Sequence, residues 1–221
     1  ILHDYDPVST TMESIQPCDV LAMSTNTYTV ENVKYAVAVA TPTVLLLLSD
    51  EFGDRSHYEE VFSDLPLVYR QYRHNVYQNP ENQKILPLGY HCWDQHIRLS
   101  PRPRNLAWSF YGSDKGDRKQ HLAVLDSIKP NFHGQTSHDQ NAEVMNGSIF
   151  VFCPIGNLNV ECFRQHTASM CGAVPYLLCS DEQWDEIYPF YDVVPPWLHT
   201  PSIDIMAETI RYAKRLTHKE Q

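Results

Sequence analysis

Arg164 and Arg118 are the residues whose type and setting point most directly to chemistry. Each follows a loop carrying glycine and stands near a candidate helix start. A guanidinium is a permanent cation with a planar fork of donors, and the first amides of a helix are unpaired donors, so such a junction suits a diphosphate. For Arg164 the loop runs from Ile155 to Glu161 and includes Gly156 and Asn157; for Arg118 it is Gly112-Ser113-Asp114-Lys115-Gly116-Asp117. The small residues of the second loop would let a phosphate approach closely. The plainer readings are that Arg164 pairs with a surface carboxylate on an ordinary crossover and that Arg118 decorates a solvated turn.

The elements that must hold these loops are readable around them. Ile149-Phe150-Val151-Phe152 is an apolar run of the kind covered on both faces of a sheet, and Pro154 with Gly156 stops it. Cys162 to Met170 spans two helical turns with Phe163 and Met170 toward the sheet, Gly172 supplies a left-handed cap, and Val174 to Leu178 returns as a strand. This is a βαβ unit, and its loops lie at the carboxyl edge of a parallel sheet. Upstream, Thr29 starts a helix whose Val30, Val33, Val37 and Ala40 share a face until Pro42, and Val44 to Leu48 is a central strand. Ser56 and Glu59 fit a capping box, while Leu67 to Arg70 and Ile85 to Leu88 read as short strands. Leu106 to Tyr111 is a strand, Asp117 to Ile128 an amphipathic helix, and Gly147 to Phe152 the next strand. Ser180 to Gln183 opens a helix, Val193-Val194 is a short strand, and Ser202 to His218 a closing helix with Ile205, Met206, Ile210, Ala213 and Leu216 on one side. Pro101-Arg102-Pro103-Arg104 resists both helix and internal sheet and marks a linker. The expectation is therefore α/β, with two Rossmann-like domains facing a cleft: residues 1–100, residues 105–200, and a closing helix over 201–221.

Composition narrows the classes. With 221 residues and 43% hydrophobic content, the chain can bury a core and hold two small domains. Its formal net charge of -10, without a basic stripe, argues against a nucleic-acid surface but not against a local nucleotide pocket. Val37 to Leu48 is interrupted by Thr41-Pro42-Thr43 and is too short to span a bilayer, so no membrane segment is expected in this chain. The chain opens on Ile1 rather than methionine, which leaves room for a preceding strand or anchor. The six cysteines form no Cys-x-x-Cys pattern and read mainly as buried free thiols, which favours the cytoplasm. An even count and the Asn146-Gly147-Ser148 sequon keep a lumenal setting open. There is no His-Glu-x-x-His, no convincing Asp-x-Asp at a strand end, no dinucleotide fingerprint and no Walker-type phosphate loop, so a tightly held metal or cofactor is not expected.

The chain resembles the exostosin-type glycosyltransferases, inverting enzymes with two Rossmann-like domains. Cys153-Pro154-Ile155-Gly156, Cys162-Phe163-Arg164, Thr167-Ala168 and Gly172-Ala173-Val174-Pro175 follow that family's signature, with the spacing from Arg164 to Gly172 kept. Leu106 to Arg118 is similar to its strand, F-x-G turn and arginine. Val68 to Tyr77 with Leu86-Pro87-Leu88-Gly89 is similar to segments of relatives that transfer xylose, including small proteins of large algal viruses. The resemblance covers about half of the chain. It departs from the pattern at Ile155, where the family is often basic, and at Thr167, which replaces a glutamate expected to hold the donor's ribose.

What the resemblance implies is a GT-B enzyme moving a sugar from a UDP-sugar such as UDP-xylose to a glycan acceptor without metal, the donor bound by the C-terminal half. A viral relative would work in the host cytoplasm; a Golgi setting would need an anchor. A noncatalytic nucleotide- or carbohydrate-binding protein on the same scaffold is the alternative. Displacement at an anomeric carbon needs a base for the acceptor proton and cations for the departing diphosphate. Arg164 and then Arg118 fit the second role. Asp50 and Glu51, beyond a buried strand, and His91, after Pro-Leu-Gly-Tyr, are the base candidates, each of which also reads as a cap, a surface carboxylate or a locally bonded imidazole. Glu161 or Glu182 would take over the ribose, although Glu182 also suits the positive end of its own helix. Tyr90, Trp93 and Trp108 could stack on a sugar or base, or pack the core.

Overall fold

The apolar runs resolve into two parallel sheets. A computed structural model of the chain describes residues 11–24, 28–48, 61, 65–71, 81–86, 88–89, 97, 102–156, 159–187 and 195–217. It divides into two compact units, Ile1–Pro87 and Leu88–Gln221. The division lies ahead of the Pro101–Arg104 stretch read as a linker, and the closing helix belongs to the second unit. Among the described residues no helix is long and apolar enough to cross a membrane.

The first unit carries a short 3-10 turn, Met12–Ser14, and strands β1 (Val20–Ser24), β2 (Val44–Leu48), β3 (Leu67–Arg70) and β4 (Gln83–Ile85), with helix α1 (Val30–Ala40) between the first two strands. The sheet order is β1-β2-β3-β4, and every pairing is parallel. Helix α1 begins as its sequence demands. Thr29 Oγ1 accepts the Asn32 N–H at 3.3 Å, and Asn32 Oδ1 accepts the Thr29 N–H at 3.1 Å, so two first-turn donors are satisfied reciprocally. Val30, Val33, Ala36 and Ala40 are buried with Leu21, Met23, Leu45 and Leu47, while Val37 sits at the edge of that face. Strand β4 begins two residues before the Ile85 to Leu88 expectation and shares only Ile85 with it. As the last strand in the sheet it tolerates polar Gln83 and Lys84, which hid it from an apolar-run criterion. The Ser56–Glu59 box lies outside the described residues.

The second unit contains β5 (Leu106–Tyr111), α2 (Arg118–Leu125), β6 (Asn131–Gly134), α3 (His138–Asn146), β7 (Ser148–Pro154), α4 (Phe163–Met170), β8 (Val174–Leu178), α5 (Asp181–Ile187), β9 (Leu198–Thr200) and α6 (Ile203–Thr217). Its described strands are parallel in the order β6-β5-β7-β8-β9. The chain thus winds outward from β5 to β6, crosses back, and winds the other way from β7. Side chains alternate between two covered faces. Trp108, Phe110, Phe150, Phe152 and Tyr176 pack with Leu122, Leu125, Met206 and Ile210 of α2 and α6. Val151, Cys153 and Leu177 pack with Met145, Ala168, Cys171 and Trp184 on the other side. Trp108 is fully buried and its Nε1–H donates to Leu125 O and Ile128 O at 3.1 and 3.0 Å, so it is a core residue and not a stacking platform.

Several expectations shift. The helix read as Asp117 to Ile128 ends at Leu125, and β6 and α3 occupy the tract between it and β7. Helix α3 is introduced by a Ser137–Gln140 box, Ser137 Oγ accepting the Gln140 N–H at 3.3 Å. Strand β7 continues through Cys153 and Pro154, which pair with Leu177 and Leu178. Helix α4 does not turn Met170 to the sheet, and Phe163 is half-buried. Met170 is exposed, and Gln165, His166, Thr167 and Ala168 are buried instead. That inversion is possible because the polar members are bonded: Gln165 Oε1 accepts the Cys162 N–H at 3.1 Å and Thr167 Oγ1 donates to Phe163 O at 3.0 Å. In α6, Met206, Ala207 and Ile210 form the buried face while Ile205 and Leu216 are exposed. The Val193-Val194 strand lies outside the described residues; the last strand found is β9.

Candidate functional site

In a doubly wound sheet the loops after two neighbouring strands part where the winding reverses, opening a crevice outside the carboxyl ends. Here that point lies between β5 and β7. The β5 loop supplies Gly112 and Ser113, and the β7 loop supplies Ile155 and Gly156. Both arginines singled out by the sequence reach this place.

Arg164 comes from the first turn of α4. Its Nε–H donates to Tyr111 O at 2.8 Å, its Nη1 to Cys162 Sγ at 3.3 Å, and its guanidinium carbon stands 4.9 Å from the centre of the Phe110 ring. A Cβ on Gly112 would lie 3.0 Å from Arg164 Nη2, and Gly112 has a φ of +146°, so the turn requires glycine for both reasons. Phe110, Tyr111 and Gly112 together form the seat of this one side chain. Nη2 makes no hydrogen bond to any described residue.

Arg118 opens α2 and makes contacts that neither reading of the sequence foresaw. Its Nη1 donates to Ser113 O at 3.2 Å, and its Nη2 to Ile155 O at 2.8 Å and Gly156 O at 3.0 Å. The guanidinium therefore ties the β5 loop to the β7 loop. Gly156 in turn donates its N–H to Asn159 O at 2.7 Å.

A depression of about 550 Å³ opens beside this tie, its lining including Lys115, Arg118, His121, Ile155, Leu178 and Pro201. That size suits a small-molecule ligand. His121 lies one helical turn after Arg118, so the i, i+3 spacing could have drawn attention to it, but the sequence reading passed over it. Its ring meets Phe152 edge-on at 6.4 Å. A second depression of about 480 Å³ lies at the ends of β5 and β6 and includes Gly112, Asp126 and His133. The Asp126 carboxyl is held below its ordinary range, chiefly by the Asn131 amide at 2.9 Å, with Lys129 and His133 adding to it.

The two glutamates proposed for a ribose part company. Glu161 is buried; its Oε1 accepts the Leu88 N–H at 3.1 Å and lies 3.0 Å from His166 Nε2, which commits that oxygen to holding the unit together. Glu182 is exposed at the start of α5, its carboxyl lowered mainly by hydrogen bonding with Ser180. Ser180 and Gln183, its neighbours in the capping box, line the larger depression. Asp50, Glu51, His91, Asn157, Tyr90 and Trp93 lie outside the described residues. The cysteines described, Cys18, Cys153, Cys162, Cys171 and Cys179, are free thiols. Among the described residues no three His, Cys, Asp or Glu side chains converge as a metal site. No family model matches the chain, and no curated protein matches it in sequence.

Proposed function

We propose that the second unit binds a nucleotide-linked sugar at the crevice between the ends of β5 and β7, and that the protein is an inverting glycosyltransferase acting from a UDP-sugar onto a glycan. In this reading the two parallel-sheet units are the pair of Rossmann-like domains of a GT-B enzyme, and UDP-xylose is the first donor to try. The observation that carries the reading is the seating of Arg164: its position is fixed by Tyr111 O and Phe110, while Nη2 stays available toward the glycine turn. A cation held in that way loses little freedom when it meets a diphosphate.

The chemistry is a single displacement. The acceptor hydroxyl gives its proton to a base, its oxygen bonds to the anomeric carbon from the face opposite the leaving group, and the bond to the diphosphate breaks. Negative charge grows on the departing oxygen, where Arg164 stabilises it. Asp50, Glu51 and His91 remain the candidates for the base.

The test is release of nucleoside diphosphate from a panel of UDP- and GDP-sugars, with and without short glycan acceptors, products being identified by mass spectrometry. Acceptor-dependent transfer is expected, falling on the order of 10²–10³-fold in Arg164→Ala. Turnover unchanged by that substitution would remove the clamp assignment. Binding without any product would favour the alternative, a noncatalytic nucleotide- or carbohydrate-binding protein. That second reading draws support from Thr167, whose hydroxyl is spent on Phe163 O, and from the internal engagement of Glu161.

A further inference from the structure

The depression at the ends of β7 and β8 is two-sided in its chemistry. Lys115, Arg118 and His121 lie toward α2, with Asp117 the one carboxylate among its lining residues, and Ile155, Leu178, Cys179 and Pro201 form an apolar margin. His121 is the unusual member. Its Nδ1 is buried with no hydrogen-bond partner among the described residues, and its ring is held edge-on against Phe152 at 6.4 Å. Nε2 is neither buried without a partner nor engaged by any described residue, so it is the nitrogen left to serve a ligand. The capping pair in the same lining is closed on itself, Ser180 N–H to Gln183 Oε1 at 3.0 Å and Gln183 N–H to Ser180 Oγ at 3.2 Å, so the imidazole is the donor it leaves for an anion, beside the positive charges of Lys115 and Arg118.

We infer that His121 is a binding residue for the phosphate end of a nucleoside diphosphate: its Nε2–H donates to a phosphate oxygen beside Lys115 and Arg118, and the nucleoside lies along Ile155, Leu178 and Pro201. The inference rests on the nucleotide-sugar reading and gives the ligand a direction in the pocket. An anionic head belongs where the cations are, and a planar base loses least by covering the apolar margin.

Calorimetric titration of the full chain with UDP, GDP, uridine and inorganic pyrophosphate tests it. His121→Ala and His121→Asn are compared with the unaltered protein, and thermal melting checks that each variant is folded. A hydrogen bond to a charged group is lost, so UDP and pyrophosphate should bind roughly tenfold or more weakly to His121→Ala. Uridine should bind as before, and the Asn side-chain amide should restore part of the loss. Equal UDP and pyrophosphate affinity in folded His121→Ala would overturn the role of His121 while leaving the nucleotide reading in place. Failure of UDP, GDP and pyrophosphate alike to bind the unaltered protein would overturn that reading and the inference with it. Should His121→Ala fail to fold, the Asn variant decides between the same outcomes.

Discussion

Arg118 Nη2 donates to Ile155 O at 2.8 Å, so the helix that follows β5 is fastened to the loop that follows β7 across the point where the sheet reverses its order. Two loops that a crevice would otherwise separate are held in fixed relation by one side chain, with Gly156 O and Ser113 O as further acceptors.

Arg118→Met keeps much of the aliphatic stem and removes the fork. The expected loss of stability is about 1.5–3 kcal/mol, the range for hydrogen bonds that involve a charged group. Local opening should exceed that loss. Hydrogen–deuterium exchange followed by mass spectrometry should show faster exchange in peptides covering 112–118 and 154–156, with strands β8 and β9 little changed. Uniform acceleration over the whole unit would mean that Arg118 supports the fold generally and does not specifically tie these loops.

Gly112 and Gly134 make a controlled pair. Both have a strongly positive φ, +146° and +150°, but an added Cβ on Gly112 meets Arg164 Nη2 at 3.0 Å whereas on Gly134 it meets only the Phe132 ring at 3.8 Å. Each Ala substitution should cost about 1–3 kcal/mol from backbone strain. Gly112→Ala should in addition displace the guanidinium and depress binding of a nucleoside diphosphate, which Gly134→Ala should not. Thermal melts of both variants set beside their UDP titrations separate the strain from the displaced arginine.

The sequence carried the strands of the second unit well where the runs were apolar. Leu106 to Tyr111 and Val174 to Leu178 are buried on both faces, and their bounds agree with β5 and β8. It carried β6 and α3 poorly. Asn131-Phe132-His133-Gly134 has one apolar residue, and it is a strand because it lies at the sheet edge and pairs with β5. Polar residues misled in α4 as well. Gln165 and His166 look like a solvent face, yet they are buried because Cys162 and Glu161 offer them partners at 3.1 and 3.0 Å, a fact that no periodicity contains. At the site, the two arginines were legible from type and loop chemistry. Arg118 as a tie was not, since its acceptors are backbone carbonyls more than thirty residues away in sequence, at Ile155 and Gly156.

Glu161 and His166 should behave as structural partners. Glu161→Leu strands the Leu88 N–H in a buried setting, at a cost of about 1–3 kcal/mol, and takes the Glu161 partner from His166 Nε2. Glu161→Gln keeps an acceptor for Leu88 and should cost much less. In urea unfolding, a double-mutant cycle of Glu161→Leu with His166→Leu should give a coupling of about 0.5–3 kcal/mol, the pair together costing less than the sum of the singles. Glu161→Gln should leave nucleotide affinity unchanged. A selective loss of UDP or uridine affinity in that variant, with stability intact, would return Glu161 to the ribose.

Two buried thiols set an alkaline limit on the second unit. Burial pushes the Cys153 thiol well above its ordinary value of 9.0, with the neighbouring Cys162 adding to the effect and Arg164 opposing it; Cys179 is pushed up to about 12 by burial and then by Asp181. Well below pH 9 both thiols are neutral whether the chain is folded or unfolded, so they contribute no pH dependence there. Above that value the unfolded thiols ionise while the folded ones do not, the unfolded state binds fewer protons, and stability falls as pH rises toward the folded values. The urea midpoint should therefore drop faster between pH 9 and about pH 11 than in a Cys153→Ala, Cys179→Ala variant, whose own midpoint is lower at neutral pH. Tyrosine and lysine titrations are common to both proteins and cancel in the difference. The same burial should keep Cys153 and Cys179 from reacting with iodoacetamide at pH 8 until urea is added. Peptide mapping that found either thiol alkylated in the folded protein would place it nearer solvent than the sheet packing allows.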